Sequence, residues 1–151
     1  MTTLDFALHY ISRGWAVIPI AFGTKAPPAG FPLARYLSGE WRSDEASCRV
    51  WWAEGDYGIA VLTGKISGIL VADVDPRNGG DTTAIRARIT TPCPTVLTGG
   101  GGLHFYFRLE QGQSIRSGHS SVQGVDRCAD LRYVVAPPSI HPNGTPYRWE
   151  N

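Results

Sequence analysis

Two aspartates, Asp73 and Asp75, are the residues of this sequence best placed to do chemistry. They lie in the segment LVADVDPRNGG, and because side chains alternate along a strand, both project from one face with Val74 on the other. Two carboxylates held that close repel each other unless a cation neutralises them, and hard divalent ions prefer such oxygens. The turn-forming residues that follow end the strand directly. We therefore expect a metal-binding pair at an edge that substrate can reach; a pair of exposed turn aspartates is the alternative.

A run of four glycines at 99–102 precedes His104 in the segment TGGGGLHFYF. Glycine permits positive φ and close approach of the backbone to a ligand, and successive amides can form a nest for phosphate oxygens. His104 can then donate to a polyphosphate, although a lone histidine is more often a satisfied core residue. Arg108 shares the predicted strand face of His104 and is a second candidate phosphate contact. An exposed, salt-bridging arginine is the alternative.

A third carboxylate is expected from Asp126, at the end of a short predicted strand over 122–126. Asp130 is its competitor, with a stronger case for a purely structural role, because it lies between Ala129 and Leu131 in a predicted hairpin connection.

Three further polar residues are candidates for substrate contact. Lys25 lies in the Gly/Pro-rich loop 21–32, and Ser139 follows two prolines that stiffen a turn and present its hydroxyl. His141 comes two residues later. Polar residues after such a turn often serve structure alone, which weighs against both Ser139 and His141.

The elements that must position these residues are short apolar strands and a few helices. Helical spacing of apolar residues predicts a helix over 3–13, an Asp-Glu start predicts a second helix that ends near Trp52, and a short third helix is predicted over 80–89. Strands bounded by Gly, Pro or Asn are predicted at 15–20, 58–63, 68–75, 94–98, 103–109, 122–126, 132–137 and 146–150. This pattern predicts one α/β or α+β domain over residues 1–151, built on a mixed sheet.

Bulk composition is that of a soluble globular domain, with 151 residues, 42% hydrophobic and 18% charged. No apolar run is long enough to span a bilayer and no signal peptide is recognisable, so we expect a cytoplasmic protein without a membrane partner. Three cysteines without a C-x-x-C favour free thiols over disulfides or zinc. The chain ends directly after a predicted strand, and we expect it to be a fragment of a longer protein.

Net charge is +1, which does not indicate a nucleic-acid binder. The second half is nevertheless basic: residues 76–151 hold eight arginines against five acidic residues, whereas residues 1–75 hold six Lys+Arg against eight Asp+Glu. Arginine suits bidentate phosphate contact, so a local polyanion surface is one interpretation and dispersed, solvated arginines are the other.

Taken in order, these motifs resemble the bifunctional primase/polymerase N-terminal domain (prim-pol) of the archaeo-eukaryotic primase superfamily. The matching segments cover nearly the whole chain and are GWAVIPI (14–20), KAP (25–27), GIAVLTG (58–64), DVD (73–75), TGGGGLH (98–104), GVD (124–126), YVVAPPS (133–139) and YRW (147–149). An ordered set of this kind is more specific than any one of its members.

The resemblance implies a function and a site. Asp73, Asp75 and Asp126 would be the catalytic, metal-binding carboxylates, holding two divalent ions, Mg²⁺ or Mn²⁺, without zinc. His104 would contact the phosphates of an incoming NTP or dNTP. The fold would be a small α/β domain with a catalytic sheet similar to an RNA-recognition-motif sheet, flanked by helices. Expected partners are a single-stranded DNA template or primer-template, with a helicase domain downstream in the full-length protein.

The chain departs from the family pattern in two places. The family often carries a hydroxyl two residues before the histidine, and Gly102 occupies that position here; we therefore expect a backbone amide of Gly102 to replace a side-chain contact to phosphate. The zinc-binding insertion that some relatives carry between the histidine and the third aspartate is absent.

The sequence thus predicts template-directed nucleotidyl transfer, as a DNA primase or DNA polymerase in replication. The basic groups Lys25 and Arg108 would offset the remaining phosphate charge. The alternatives are a D-x-D nucleotide-sugar glycosyltransferase and a non-catalytic DNA-binding module of a replication-initiation protein. Neither explains the ordered set of segments.

Overall fold

The computed structural model describes residues 1–53 and 55–150. The helices are α1 (Thr3–Ser12), α2 (Leu33–Leu37), α3 (Glu45–Trp52) and α4 (Thr82–Arg88). A short 3-10 helix spans Pro76–Asn78. The strands are β1 (Val17–Ile20), β2 (Gly58–Leu62), β3 (Ile69–Val74), β4 (Thr95–Leu97), β5 (Leu103–Arg108), β6 (Gly118–His119), β7 (Val125–Cys128), β8 (Tyr133–Ala136) and β9 (Arg148–Trp149).

Side-chain caps fix where the main helices begin. Thr2 and Asp5 form a capping box at α1, in which each side chain accepts a hydrogen bond from the other residue's backbone N–H. Asp44 forms a capping box with Ser47 at α3, and Asp81 caps α4 by accepting from the backbone N–H of Ala84. The acidic and hydroxyl residues ahead of each apolar stretch therefore mark the helix starts.

The strands form two sheets. The smaller has the order β1-β2-β8, and the larger has the order β6-β7-β3-β5-β4-β9. Every strand ladder among the described residues is antiparallel, and a single isolated bridge, Arg116 with Asp130, is parallel. Pro19 is tolerated because β1 is an edge strand. Helices beside these sheets confirm the α+β class.

The main core lies between the two sheets. It joins Val17, Ile59 and Val61 of the small sheet to Val71 and Tyr106 of the large one, with α1 and α3 closing one side. A second apolar cluster packs α2 on the outer face of the small sheet, and a third packs α4 on the outer face of the large sheet. Both faces of β3 are therefore covered, which explains why its sequence is an apolar run.

Several elements differ from the sequence-based expectation, among them helix α2 and the 3-10 helix, neither of which was predicted. Strand β7 begins at Val125 and not at 122, because the backbone N–H of Val125 donates to the carbonyl of Val122 in a tight turn, with Gly124 at φ +70°. Asp126 consequently lies inside this strand and does not end it. Strand β6 was not predicted, since two residues are too few to show an alternating pattern.

Candidate active site

Asp73 stands in a row of polar residues that crosses the large sheet. On one side its direct partner is His104 of β5, and on the other its direct partner is Asp126 of β7. His119 of β6 is in turn opposite Asp126. Residues directly opposite each other project from the same face, with Cβ atoms about 4.5–5.5 Å apart. Four adjacent strands therefore bring two carboxylates and two imidazoles into one line.

The position of Asp73 along β3 explains how deeply its side chain is buried. Ile69 and Val71 precede Asp73 on the same face of β3, and both belong to the core between the sheets. Asp73 follows them at the end of the strand, where the core gives way to a cleft and its side chain is 36% exposed. The strand therefore delivers a carboxylate to the rim of the core and does not bury it.

The two carboxylates of the row each meet an imidazole. His104 Nε2 lies 3.4 Å from Asp73 Oδ1, longer than an ordinary N–H···O hydrogen bond, and His104 Nδ1 is buried without a hydrogen-bond partner. His119 Nδ1 lies 2.6 Å from Asp126 Oδ1, and the His119 side chain is almost wholly exposed. His104 is thus fixed in the protein, whereas His119 lies at its surface.

Asp75 lies one residue beyond β3 and caps the 3-10 helix. Its carboxylate accepts from the backbone N–H of Arg77 at 2.9 Å, and it also contacts the Arg77 guanidinium and the Asn78 amide. Partial burial acts to raise the pKa of Asp75, but the hydrogen bonds and charge of Arg77, with the charge of Lys25, outweigh it and lower the pKa. Asp75 is therefore held as a carboxylate among cations.

Two pockets meet at Asp73 and Asp75. The first, which we call the glycine-turn pocket, is lined by Lys25, Asp73, Val74, Asp75, Arg77, Thr98, Gly100, Gly102, His104, His141 and Tyr147. The second, the Asp126 pocket, is lined by Asp73, Asp75, Asn78, His119, Ser120, Val122, Gln123, Gly124, Val125 and Asp126. One pocket is rich in cationic and imidazole groups and the other holds the third carboxylate.

The glycine run forms a tight turn closed by Thr98. The N–H of Gly101 donates to the Thr98 carbonyl at 3.1 Å, and the N–H of Gly102 donates to Thr98 Oγ1 at 2.9 Å. A Cβ at Gly102 would stand 2.3 Å from the carbonyl oxygen of Val74, so no side chain fits there. The Gly102 amide, which was expected to replace a missing side-chain contact to phosphate, donates to Thr98 Oγ1 in this structure.

Lys25 reaches the site from a distant loop. It lines the glycine-turn pocket, and its carbonyl oxygen accepts from the Tyr133 hydroxyl at 2.8 Å, which ties the loop to β8. Its exposed ammonium contributes to the lowered pKa of Asp75. The structure thus brings together Lys25, His104 and the three aspartates.

Two residues that were predicted to contact substrate, Arg108 and Ser139, lie outside both pockets. Arg108 shares the strand face of His104, but four residues of strand separate them by about 13 Å, and it lines neither pocket. Ser139 is buried, and its hydroxyl accepts from the N–H of Ile59 at 2.8 Å and donates to the Ile59 carbonyl at 3.0 Å. Its hydrogen bonds therefore hold β2 in place.

Asp130, the competitor of Asp126, serves structure. One of its oxygens accepts from the backbone N–H of Lys65 at 2.9 Å, and the other accepts from the Ser114 hydroxyl. Burial acts to raise the pKa of Asp130, but these hydrogen bonds and the Lys65 charge lower it. It lines neither pocket. Geometry therefore favours Asp126 as the third carboxylate of the site.

Three residues of the glycine-turn pocket were missed or discounted from the sequence. Arg77 lies two residues after Asp75, and that proximity was the available signal. His141 was discounted as a residue after a turn. Tyr147 is buried, and burial together with the nearby Asp73 charge raises its pKa to about 12, so its hydroxyl stays protonated. Nothing local in the sequence brings 141–147 next to 73.

The residues of the row are of the types that bind divalent cations. Asp73 and Asp126 oppose each other directly, and Lys or Arg side chains of the described chain form no ion pair with either. Carboxylate oxygens are the donors that Mg²⁺ and Mn²⁺ accept. Across residues 1–53 and 55–150, however, no group of three His, Cys, Asp or Glu side chains is close enough to hold a metal ion as the side chains stand.

The cysteines lie apart from this row. Cys48 and Cys128 are buried free thiols, as expected, whereas Cys93 is a free thiol that is partly exposed.

The sequence model of the family described as "bifunctional DNA primase/polymerase, N-terminal" matches residues 7–151. The chain belongs to this family. The match covers β3, β5, β6 and β7, and thus Asp73, His104, His119 and Asp126 of the polar row. A comparison with curated proteins finds no match. None of the described helices is both long enough and apolar enough to cross a membrane.

Proposed function

We propose that this prim-pol domain joins nucleotides on a DNA template at the Asp73–Asp126 pair, with the triphosphate of the incoming nucleotide in the glycine-turn pocket. One observation carries the proposal: Asp73 faces Asp126 on one side and opens on the other into a pocket lined by Lys25 and Arg77. A carboxylate pair beside a cationic pocket is the arrangement that phosphoryl transfer requires.

Asp73, Asp75 and Asp126 would hold two divalent ions, Mg²⁺ or Mn²⁺. When bound, such ions lower the pKa of an attacking hydroxyl and stabilise the charge on the transferred and departing phosphates. Asp73 and Asp75 line both pockets, so these two carboxylates would hold metal ions that contact both the primer and the nucleotide. The Arg77 contacts keep Asp75 ionised, which preserves its ability to act as a ligand.

The remaining residues orient the nucleotide. Lys25 and Arg77 offset phosphate charge, and His104, fixed against Asp73, donates to a phosphate oxygen. The Thr98 hydroxyl lies 3.3 Å from the Cβ position at Gly102, so it replaces the hydroxyl that the family often carries at that position. Arg108 and Ser139 have no part in this scheme, because neither lines the pocket.

The partners follow from the reaction. A single-stranded DNA template or a primer-template would lie across the Asp126 pocket, with NTP or dNTP as the second substrate. A helicase domain downstream in the full-length protein would supply unwound template.

The experiment is the Asp73→Ala/Asp75→Ala double variant in a priming assay on single-stranded DNA, with NTPs and dNTPs and with Mg²⁺ and Mn²⁺ tested separately. Loss of synthesis with an unchanged circular dichroism spectrum is expected. Metal-dependent synthesis retained by a folded double variant would contradict the assignment.

A further inference from the structure

His141 has one ring nitrogen fixed as an acceptor and the other left without a partner. Its Nδ1 accepts from the backbone N–H of Asn143 at 3.1 Å. A neutral imidazole that accepts at Nδ1 carries its proton on Nε2. His141 is only 7% exposed, and its Nε2 is buried with no hydrogen-bond partner in the protein. A buried donor left unpaired costs free energy, and such a group calls for an explanation.

The glycine turn is built around this imidazole. A Cβ at Gly99 would stand 2.2 Å from His141 Cβ, so a side chain at 99 would displace the histidine. A Cβ at Gly100 would stand 3.3 Å from His141 Nε2. Among described atoms outside the neighbouring residues of the turn, only the His141 ring lies within 4 Å of that Cβ position. Because Gly100 lacks that Cβ, a position beside Nε2 stays open on the wall of the glycine-turn pocket.

The surroundings of that position suit the phosphate of a metal-bound nucleotide. Lys25, Arg77 and Thr98 line the same pocket, and so do Asp73 and Asp75, which would hold the metal ions. The ring centroid of the buried Tyr147 lies 5.9 Å from that of His141 and 6.3 Å from that of His104, so the Tyr147 ring packs near both imidazoles. A fixed N–H donor in a pocket that also holds two cationic side chains matches an oxygen of a phosphate group.

We propose that His141 is a nucleotide-binding residue whose Nε2–H donates to a phosphate oxygen of the bound nucleoside triphosphate. This inference rests on the proposed function and adds a second imidazole donor to the pocket. The turn 99–102 would then place phosphate between His104 and His141. The unpartnered nitrogen of His141 is satisfied by the ligand and not by the fold.

A matched pair of variants separates the two nitrogens. In His141→Asn the amide oxygen stands near the Nδ1 position and can still accept from Asn143, but the donor at Nε2 is lost. In His141→Gln the longer side chain carries an amide N–H to the Nε2 position. The measurement is calorimetric titration, with Mg²⁺, of an α,β-imido nucleoside triphosphate, the matching monophosphate and the nucleoside, alongside the melting temperature of each variant.

We expect His141→Asn to weaken triphosphate binding about tenfold to a hundredfold, the range for a lost hydrogen bond to a charged group, and His141→Gln to recover most of it. Nucleoside binding and the melting temperature should change little. In the wild type, ¹⁵N NMR should show a protonated Nε2 whose resonance moves on addition of the triphosphate analogue, a response that a purely structural histidine does not give.

Two outcomes would overturn the inference. Equal triphosphate affinity of wild type and His141→Asn would remove His141 from the pocket while leaving the proposed function intact. Equal loss for triphosphate and nucleoside, with a lower melting temperature and no rescue by His141→Gln, would make the histidine structural. A wild type that binds no triphosphate at all would instead reject the proposed function, and this inference with it.

Discussion

Asp73 and Asp126 are direct cross-strand partners on β3 and β7, and each is partly open to solvent. That register is maintained by apolar neighbours on both sides of the pair, Val71 with Cys128 and Val74 with Val125. A slip of β7 by one residue would turn Asp126 to the α4 side of the sheet, away from Asp73. The core therefore sets the geometry of the site, which ties fold and function together.

Lys25 and Arg108 form a matched test of where phosphate binds. Lys25 lines the glycine-turn pocket and Arg108 lies at the far end of β5. We expect Lys25→Ala to raise the KM for nucleotide about tenfold, because one charged contact to phosphate is lost. Arg108→Ala should change it less than about twofold, since that side chain has no contact to lose. Steady-state kinetics of primer extension measure both, and equal effects would contradict this placement of the triphosphate.

Thr98 tests whether its hydroxyl has replaced the one missing at Gly102. Thr98→Val keeps the shape of the side chain but removes the acceptor of the Gly102 N–H and the hydroxyl in the pocket. We expect kcat/KM for nucleotide addition to fall about tenfold, in line with loss of a hydrogen bond to a charged group. Thr98→Ser should keep near-normal activity. Full activity of Thr98→Val would show that this hydroxyl has no role.

Ser139 should matter for stability and not for nucleotide binding. Its hydroxyl satisfies both the N–H and the carbonyl of Ile59 inside the protein. Ser139→Ala leaves these groups unpaired, and we expect it to lower the free energy of unfolding by about 1–3 kcal/mol. Chemical denaturation measures the change, and nucleotide affinity below the melting transition should be unaltered. A stable variant with weakened nucleotide affinity would restore Ser139 to the site.

The cysteines should differ sharply in reactivity. Burial raises the pKa of Cys48 to about 11, assisted by Asp44 and Glu45, and burial raises that of Cys128 to about 11, assisted by Asp73. At pH 8 only about one in a thousand of these thiols is ionised, and both are shielded from solvent. Iodoacetamide should therefore modify Cys93 first, with Cys48 and Cys128 protected until denaturant is added. Mass spectrometry of the native protein checks this, and early labelling of Cys128 would contradict the fold around β7.

The sequence was informative where the periodicity is local. The D-x-D strand, the glycine turn and the strand with His104 were all predicted, because alternation and turn residues appear within a few positions. The α+β class followed from the same pattern. Asp126 was also named, but mainly by resemblance to the family.

What could not be predicted depends on contacts between distant segments. The segment 141–147 reaches the site because β9 pairs with β4, which brings Tyr147 and His141 beside the glycine turn. The position of Arg108 outside both pockets could not be predicted, because a shared strand face says nothing of position along the strand. The hydrogen bonds of Ser139 could not be predicted, because its partner, Ile59, is 80 residues away.

Asp126 and Asp130 provide the most direct test of the central claim, since both are carboxylates near the same strand and only one faces Asp73. The measurement is metal-dependent primer synthesis on single-stranded DNA by Asp126→Asn and Asp130→Asn, each verified as folded. We predict that Asp126→Asn loses synthesis by about a hundredfold or more, as expected when transition-state charge stabilisation is removed, while Asp130→Asn stays active. Normal synthesis by Asp126→Asn, or its loss in a folded Asp130→Asn, would contradict the account.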